Sequence, residues 1–257
     1  MLTFTNSIKA LCLITTVAVA PMAAKAETLV RSTVESRLLL GFKVDDAAAQ
    51  AWLPEGWAPL TLPKGPLAGT NMIVSFMDRH VILDPEGKTD TPASNRAVAL
   101  LSYAVSPDVK GPRAFITRIW ETPPVVNPYS NSLPAVISRS ASSDGSGEAA
   151  GQRSESWNVA PEGGGTMTVT LNYESGPKVF SPGQESLPYS AADPEYHEIY
   201  RYDQLAELVS NSQIGKPLKG DIAFSTDIAE LAPMLDGAVT PVAIVSIPVY
   251  VRQVYLP

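Results

Sequence analysis

The 257-residue chain is acidic, with 26 Asp and Glu residues against 19 Lys and Arg residues and a formal net charge of −7. This balance argues against nucleic acid or an anionic membrane as the partner, because neutralising phosphates requires clustered basic residues. The single cysteine, Cys12, excludes an intramolecular disulfide and makes a cysteine-ligated zinc or iron–sulfur site untenable.

The first 26 residues have the pattern of a secretion signal. Lys9 supplies a positive start, residues 10–20 are apolar, and Ala24-Lys25-Ala26 matches an A-x-A cleavage site. An uncleaved membrane anchor is the alternative, but the apolar run is short for a membrane span. We therefore expect a periplasmic or secreted protein whose single mature domain, residues 27–257, does not insert into a membrane.

The first part of the mature chain predicts strands with one short helix. Residues 34–42 are typical of a strand, and residues 45–53 of a helix whose N-terminal acids suit the helix dipole. Residues 71–78 and 97–106 are rich in β-branched and aromatic side chains, which favours two further strands.

Residues 111–136 hold the main candidate site. Alternating side chains before Trp120 predict a buried strand, and the pair Pro123-Pro124 ends it. Arg113, Arg118, Trp120 and Glu121 fall within nine positions. Since a chain that leaves a sheet often builds a pocket rim, we expect a site here.

The second half of the chain is also mostly β. Residues 166–173 have the clearest two-residue period and predict a strand. The other predictions, in chain order, are exposed strands or loops at 138–146 and 151–159, an ordered loop at 177–194, a strand at 196–202, a short helix at 204–210, a short strand at 222–224, a helix at 228–235 and a strand at 242–255 with a bulge or bend at Pro248. Together these segments predict a mainly β fold with a few short helices.

Four segments resemble the acetoacetate decarboxylase family in order along the chain. Residues 45–55 are similar to its early helix and Leu-Pro-Glu, and residues 112–118 to the approach to its active strand. Residues 166–173 and 247–256 are similar to two later strands. The resemblance implies an antiparallel, closed cone-like β-barrel or β-sandwich, and an activity related to that lyase.

The chain departs from that family at its catalytic lysines. In the family, a proline is followed by a lysine pair, one of which forms the Schiff base, whereas here Val125-Val126 follow Pro124. A Schiff base needs an amine that is partly neutral at pH 7, which valine cannot supply. Lys110 or Lys43 would have to replace it. The carboxylate-binding arginine of the family has no exact match, although Arg31 and Arg37 flank its place.

Arg118 is the best candidate anchor for a substrate carboxylate. It lies on a strand among apolar neighbours, where a guanidinium needs a carboxylate from Glu121, from another acid or from a ligand. A structural ion pair remains the alternative. Glu121 is the candidate proton shuttle, Lys110 the displaced-lysine candidate, and Arg113, Trp120 and Tyr129 the further candidate substrate contacts, although core packing explains the aromatic residues as well.

Metal and cofactor sites are not expected. His80 and His197 have acidic neighbours, but neither group has the spacing of an H-E-x-x-H motif or a facial triad. The sequence also lacks a G-x-S-x-G motif.

We therefore expect an exported protein that binds or transforms a small organic acid or keto compound without the Schiff-base lysine. The alternatives are an active decarboxylase that uses a displaced lysine and a non-catalytic ligand carrier of the envelope. The expected partner is a small carboxylic or keto acid, and assembly into a homo-oligomer is left open.

Overall fold

The computed structural model describes residues 26–145 and 151–257. The predicted secretion signal lies almost wholly outside these residues. The elements are strands β1 (Thr28–Phe42), β2 (Ala58–Pro59), β3 (Met72–Leu83), β4 (Asn95–Ser106), β5 (Val109–Glu121), β6 (Ser132–Ser143), β7 (Gln152–Pro161), β8 (Met167–Glu174), β9 (Val179–Ser186), β10 (Pro188–Ser190), β11 (Ile199–Asn211), β12 (Gly220–Thr226), β13 (Gly237–Ala238) and β14 (Ala243–Leu256), helix α1 (Asp46–Gln50), and 3-10 turns at Ser212–Ile214 and Ala229–Leu231. No helix within the described ranges is long and apolar enough to cross a membrane.

The strands follow one path in the order β13-β12-β8-β7-β6-β5-β4-β3-β1-β14-β11-β9. All neighbouring pairs on this path are antiparallel except β5 with β6, and β10 adds a second parallel partner to β5. The mainly β prediction is confirmed. The path has free ends at β13 and β9, however, so the mixed sheet is not closed into the barrel that the resemblance implied.

The path divides between β5 and β6 into a first half, β5-β4-β3-β1-β14-β11-β9, and a second half, β6-β7-β8-β12-β13, and the core lies between them. Residues Leu38, Phe76 and Trp120 from the first half belong to one buried cluster with Trp157 and Leu171 from the second half. Phe76 and Trp157 contact each other with ring centroids 5.4 Å apart. Burial of these large side chains supplies the main driving force for folding.

Strand alternation gives the first half a second face. On β1, Leu38 and Leu40 point into the core, whereas Arg37 and Leu39 line a cavity on the opposite side. The same two-residue period operates on β3, β4, β5 and β14. The strands that build the core therefore also carry the residues of the cavity.

Most local predictions are confirmed, with three differences. Asp45 caps α1 by accepting hydrogen bonds from the Ala47 and Ala48 N–H groups at 3.0 Å, and the register of β1 with β14 shifts beside Pro248, as the predicted bulge requires. The helix predicted at 204–210 is wrong, because these residues belong to β11 and pair with both β14 and β9. Tertiary pairing thus overrides local helix propensity. The helix predicted at 228–235 is reduced to one 3-10 turn, and the loop predicted at 177–194 contains β9 and β10.

Candidate functional site

A cavity of about 200 Å³ lies on the second face of the first half. Its floor is formed by apolar side chains of β3, β4 and β5, including Met77, Ala99 and Ile119. The segment around Val126 and the start of β10 complete its wall. Its charged lining residues are Arg31, Arg37, Arg79, Arg252, Glu121 and Glu198, and its tyrosines are Tyr103, Tyr129, Tyr200, Tyr202 and Tyr250.

Glu35 holds two of these arginines in place. Its carboxylate accepts a hydrogen bond from Arg37 Nε at 2.9 Å and lies 3.2 Å from Arg252 Nη2, while the Thr33 hydroxyl donates at 2.7 Å. Burial alone would raise the pKa of Glu35, but Arg37, Arg252 and Arg79 outweigh it and lower the pKa well below its usual range. Glu35 is therefore a fixed anion beneath the arginines.

The same balance acts on the two arginines bound to Glu35. Burial would lower the pKa of Arg37 and of Arg252, but the negative charge of Glu35 reverses this and raises both. Each guanidinium also stacks on a tyrosine, Arg37 over Tyr250 at 3.7 Å and Arg252 over Tyr200 at 4.3 Å. Both cations are therefore held rigidly at the cavity wall.

Arg79 is held more loosely than these two. Its Nη1 atom donates to Asn95 Oδ1 at 3.2 Å and to Glu121 Oε2 at 3.4 Å. Burial lowers the pKa of Arg79, which means that nearby negative charge does not fully compensate the buried cation. Its Nε atom is buried and has no hydrogen-bond partner among the described residues. Arg79 therefore has unused capacity for an anion.

Other polar atoms of the cavity are similarly unpaired. Arg37 Nη2 and Ser75 Oγ are buried without a hydrogen-bond partner in the part of the chain that the structure describes. Arg31 Nε also lacks a hydrogen bond there, but it forms an ion pair with Asp90 Oδ2 at 3.7 Å. A buried donor without a partner costs about 1–3 kcal/mol, more when it is charged. A ligand that accepts hydrogen bonds from these groups would recover part of that free energy.

Glu121 lies at the end of β5 and faces the cavity. Its Oε1 atom accepts a hydrogen bond from the Val126 N–H at 2.6 Å, and Oε2 is 3.4 Å from both Arg79 Nη1 and Asn95 Nδ2. Burial raises the pKa of Glu121, and Arg79 and the Val126 N–H only partly oppose it. The carboxylate is therefore more basic than an ordinary glutamate.

A chain of hydrogen bonds forms another part of the wall. The Tyr129 hydroxyl donates to Glu198 Oε2 at 2.8 Å and lies 2.7 Å from the Tyr200 hydroxyl. Tyr196 donates to the other oxygen of Glu198 at 3.2 Å. Burial, and then the neighbouring hydroxyl and carboxylate, raise the pKa of Tyr129 well above its usual value. The phenols therefore remain protonated hydrogen-bond donors at neutral pH.

The cavity concentrates arginines within an acidic protein. Four arginines line it, against the two lining glutamates, Glu35 behind them and Asp90, which lies 3.7 Å from Arg31 Nε. The clustered guanidinium groups, the unpaired donors and the apolar floor suit a small anion that has an apolar part. An ionised carboxylate or a similar oxyanion fits this description.

Of the predicted site residues, the structure brings Glu121 and Tyr129 to the cavity. Arg118 lies on the other face of β5, where its guanidinium makes a bidentate pair with Glu230 at 2.6 and 3.1 Å. Strand alternation explains the difference, since residues 118 and 120 share the core side while 119 and 121 share the cavity side. The carboxylate that Arg118 needs is supplied by Glu230.

The remaining predicted residues lie outside the cavity lining. Trp120 is fully buried in the core. Arg113 stacks over Tyr189 at 4.1 Å and donates to the Pro194 carbonyl at 3.4 Å. Lys110 is exposed at the start of β5, and Lys43 is exposed and pairs with Asp46 at 2.6 Å. Among the described residues, no lysine lines the cavity.

Five residues of the site were not predicted from the sequence: Glu35, Arg79, Glu198, Tyr200 and Arg252. Four of them come from strands β1, β3, β11 and β14, which are far apart in sequence, and Glu198 directly precedes β11, so no local motif joins all five. The sequence signal that could have identified them is a charged side chain at a strand position that alternation places on the inward face. The segments VESRLLLGF and VYVRQVY contain such positions. Arg31 and Arg37, which flank the place of the family's carboxylate-binding arginine, both line the cavity.

The two histidines do not join this site. His80 contacts the Ser36 hydroxyl at 3.2 Å, and the His197 ring stacks on Tyr189. No group of three or more His, Cys, Asp or Glu residues that could hold a metal ion occurs within residues 26–145 and 151–257.

Comparison with known proteins identifies the fold. The sequence matches no family model and no curated protein. Among solved structures, the enduracididine biosynthesis enzyme MppR with bound HEPES is similar, with a TM-score of 0.56 and 13% identity over 92% of this chain and 89% of that one. MppR complexed with pyruvate gives a TM-score of 0.52 and 14% identity over 91% of both chains. An acetoacetate decarboxylase-like enzyme from Sphingomonas wittichii RW1 gives a TM-score of 0.54 and 12% identity, over 92% of this chain and 95% of that one. The strand path around the cavity and these similarities together show that the chain has the acetoacetate decarboxylase-like fold.

Proposed function

We propose that this protein is exported, binds a small 2-oxo carboxylic acid in the arginine-lined cavity, and acts on it without a lysine Schiff base. The observation that carries the proposal is the pair of buried guanidinium atoms, Arg37 Nη2 and Arg79 Nε, that belong to cavity-lining residues and have no hydrogen-bond partner among the described residues. A carboxylate accepts two hydrogen bonds from a guanidinium and neutralises its charge.

The size of the cavity favours a small ligand. Pockets for drug-sized molecules span about 300–1,000 Å³, whereas this cavity measures about 200 Å³. A 2-oxo acid of a few carbon atoms would place its carboxylate at the arginines and its alkyl group against Met77, Ala99 and Ile119. A tyrosine hydroxyl would then donate a hydrogen bond to the carbonyl oxygen. The complex of MppR with pyruvate, a protein of the same fold, supports this class of ligand.

The absence of a cavity lysine within the described ranges argues for chemistry without a Schiff base. Lys110 and Lys43, the displaced candidates, are both exposed. Glu121 and the tyrosine chain are the groups at the cavity that can move protons. A carrier without catalysis would use the same arginines, so turnover distinguishes an enzyme from a carrier.

Binding is tested by thermal unfolding of the protein with pyruvate, 2-oxobutanoate and the uncharged pyruvamide. A ligand at 100 times its Kd stabilises the folded state by about 2.7 kcal/mol, which raises Tm by a few degrees. The two acids should raise Tm and pyruvamide should not. An equal effect of acid and amide, or no effect of either acid, would contradict the proposed ligand class.

Export rests on the sequence of residues 1–26 alone. When the gene is expressed with its natural start in a bacterial host, the purified protein should begin at Glu27, as measured by intact mass. A mature protein that retains Met1 would contradict this part of the proposal.

A further inference from the structure

We infer that Glu121 is a general base and that Tyr200, which is hydrogen-bonded to Tyr129, is its electrophilic partner, so that the cavity catalyses enolisation of a bound 2-oxo acid. The inference rests on the proposed binding of such acids and goes beyond it, because binding alone requires only the arginines. The activity would be exchange of the protons on C3, next to the ketone, without a covalent intermediate.

Glu121 has the geometry of a base that is poised at the ligand. The Val126 N–H fixes Oε1, whereas the contacts of Oε2 with the described residues are two long ones of 3.4 Å, to Arg79 and Asn95. One oxygen is therefore anchored and the other is available to a ligand proton. The position of the carboxylate follows from the register, in which Glu121 lies opposite Ala97 on β4.

Tyr200 supplies the donor, and Tyr129 connects it to Glu198. The Tyr129 proton goes to Glu198, so the 2.7 Å contact between the two hydroxyls is made by the Tyr200 proton. Glu198 polarises this chain, and the Arg252 guanidinium over the Tyr200 ring adds positive charge beside it. A ligand oxygen that replaces the Tyr129 oxygen as the acceptor of the Tyr200 proton would become the site where negative charge develops.

The base, Glu121, and the donor, Tyr200, both lie near Arg79, the proposed anchor of the ligand carboxylate. Tyr129 belongs to the same packed cluster as Ala97, which is directly across from Glu121, and Tyr200 packs against that cluster. Arg79 contacts Glu121, and its electrostatic neighbours also include Tyr200 and Arg252. A carboxylate held at Arg79 therefore has a base near one side and a hydroxyl donor near another, in a cavity with an apolar floor.

The proposed step balances without a cofactor. The Glu121 carboxylate takes a proton from C3, the C–H electron pair forms a C2–C3 double bond, and the carbonyl π pair moves to oxygen. Hydrogen bonds from Tyr200 and an arginine stabilise that oxygen as an enolate. Glu121 exchanges its proton with water, and return of a deuteron to C3 in heavy water completes the exchange.

The test is proton NMR of pyruvate in heavy water, with and without the full-length expressed protein. We expect the methyl signal to disappear faster than in buffer, and the rate to rise with pH as Glu121 loses its proton. Glu121→Gln and Tyr200→Phe should each slow the exchange by about 100-fold. Glu174→Gln, on the far half of the sheet, and Tyr255→Phe are the matched controls and should exchange at the wild-type rate.

Binding is measured in parallel with oxamate, which resembles pyruvate but has no C3 protons. Raised Tm with oxamate in Glu121→Gln, together with lost exchange, supports a base and excludes a misfolded variant. Raised Tm in the wild type without exchange above the buffer rate, or exchange that does not change with pH, overturns the inference and leaves the binding proposal intact. If neither pyruvate nor oxamate changes the Tm of the wild type, the binding proposal itself is overturned. A covalent adduct after borohydride treatment would assign the exchange to a lysine and overturn the base role.

Discussion

The Glu35 carboxylate lies 3.2 Å from Nη2 of Arg252, across the pairing of β1 with β14. Neither side chain has appreciable contact with solvent. Arg37 binds the other oxygen of the same carboxylate at 2.9 Å. This ion pair network fixes two of the four arginines that line the cavity, so it links the stability of the sheet to the ability of the cavity to bind an anion.

Replacing Glu35 by Gln should destabilise the fold strongly. The change leaves Arg37 and Arg252 as buried cations without their carboxylate, and removing one partner of a buried pair costs about 3–5 kcal/mol. Urea unfolding measures the loss. The control Glu174→Gln, whose side chain is exposed and pairs with Lys219, should change the free energy of unfolding by less than about 0.5 kcal/mol. Equal stability of the two variants would contradict the structural role of Glu35.

Acid should unfold the wild type through Glu35 in particular. The folded pKa of Glu35 lies below its ordinary value of 4.5, so its stabilisation is present above pH 4.5 and is lost as pH falls from there towards the folded pKa. The difference in free energy of unfolding between wild type and Glu35→Gln should therefore shrink as pH falls below 4.5. Curves that stay parallel over this range would contradict the lowered pKa.

Glu121 should have the opposite effect on stability. Burial raises the folded pKa of Glu121 above 4.5, so stability is lost as pH rises through that raised value. Glu121→Gln keeps an acceptor for the Val126 N–H and removes the buried charge. The variant should match the wild type at low pH and become the more stable protein at pH 7, as measured by urea unfolding at both pH values. A variant that is less stable at pH 7 and equal at low pH would show that Glu121 is stabilised as a carboxylate.

Arg118→Met should leave ligand binding unchanged. The Arg118 guanidinium is paired with Glu230 on the core side of β5, and a partly exposed ion pair contributes no more than about 1 kcal/mol to folding. We therefore expect a small loss of stability and an unaltered Tm increase with pyruvate. Loss of the pyruvate effect in a folded Arg118→Met protein would restore Arg118 as the anchor.

The fold was largely predictable from the sequence because most strands carry their own signal. Residues 166–173 alternate cleanly and form β8, and Pro248 marks a real bulge in β14. Failure occurred at residues 204–210, where Leu, Ala and Glu favour a helix but two neighbouring strands impose β structure. Such pairing is a property of the assembled sheet and is not visible in a local window.

The site was less predictable, for a related reason. Glu121 and Tyr129 were identified because both lie in residues 111–136, the short stretch that was predicted to hold the site. Arg79 and Arg252 each look like ordinary strand charges, and only the sheet order places both beside Glu35. Arg118 was misplaced by one strand position, which moves a side chain from one face of a sheet to the other.

Isothermal titration of pyruvate into Arg79→Met and wild-type protein tests the central claim most directly. Arg79→Met preserves the length of the side chain and removes the loosely held guanidinium, while Arg96→Met, whose side chain does not line the cavity, is the matched control. We predict that pyruvate binds the wild type and Arg96→Met with equal affinity and that Arg79→Met weakens binding by at least about tenfold, which corresponds to 1.4 kcal/mol. Equal affinity in all three folded proteins would contradict an anion site at Arg79.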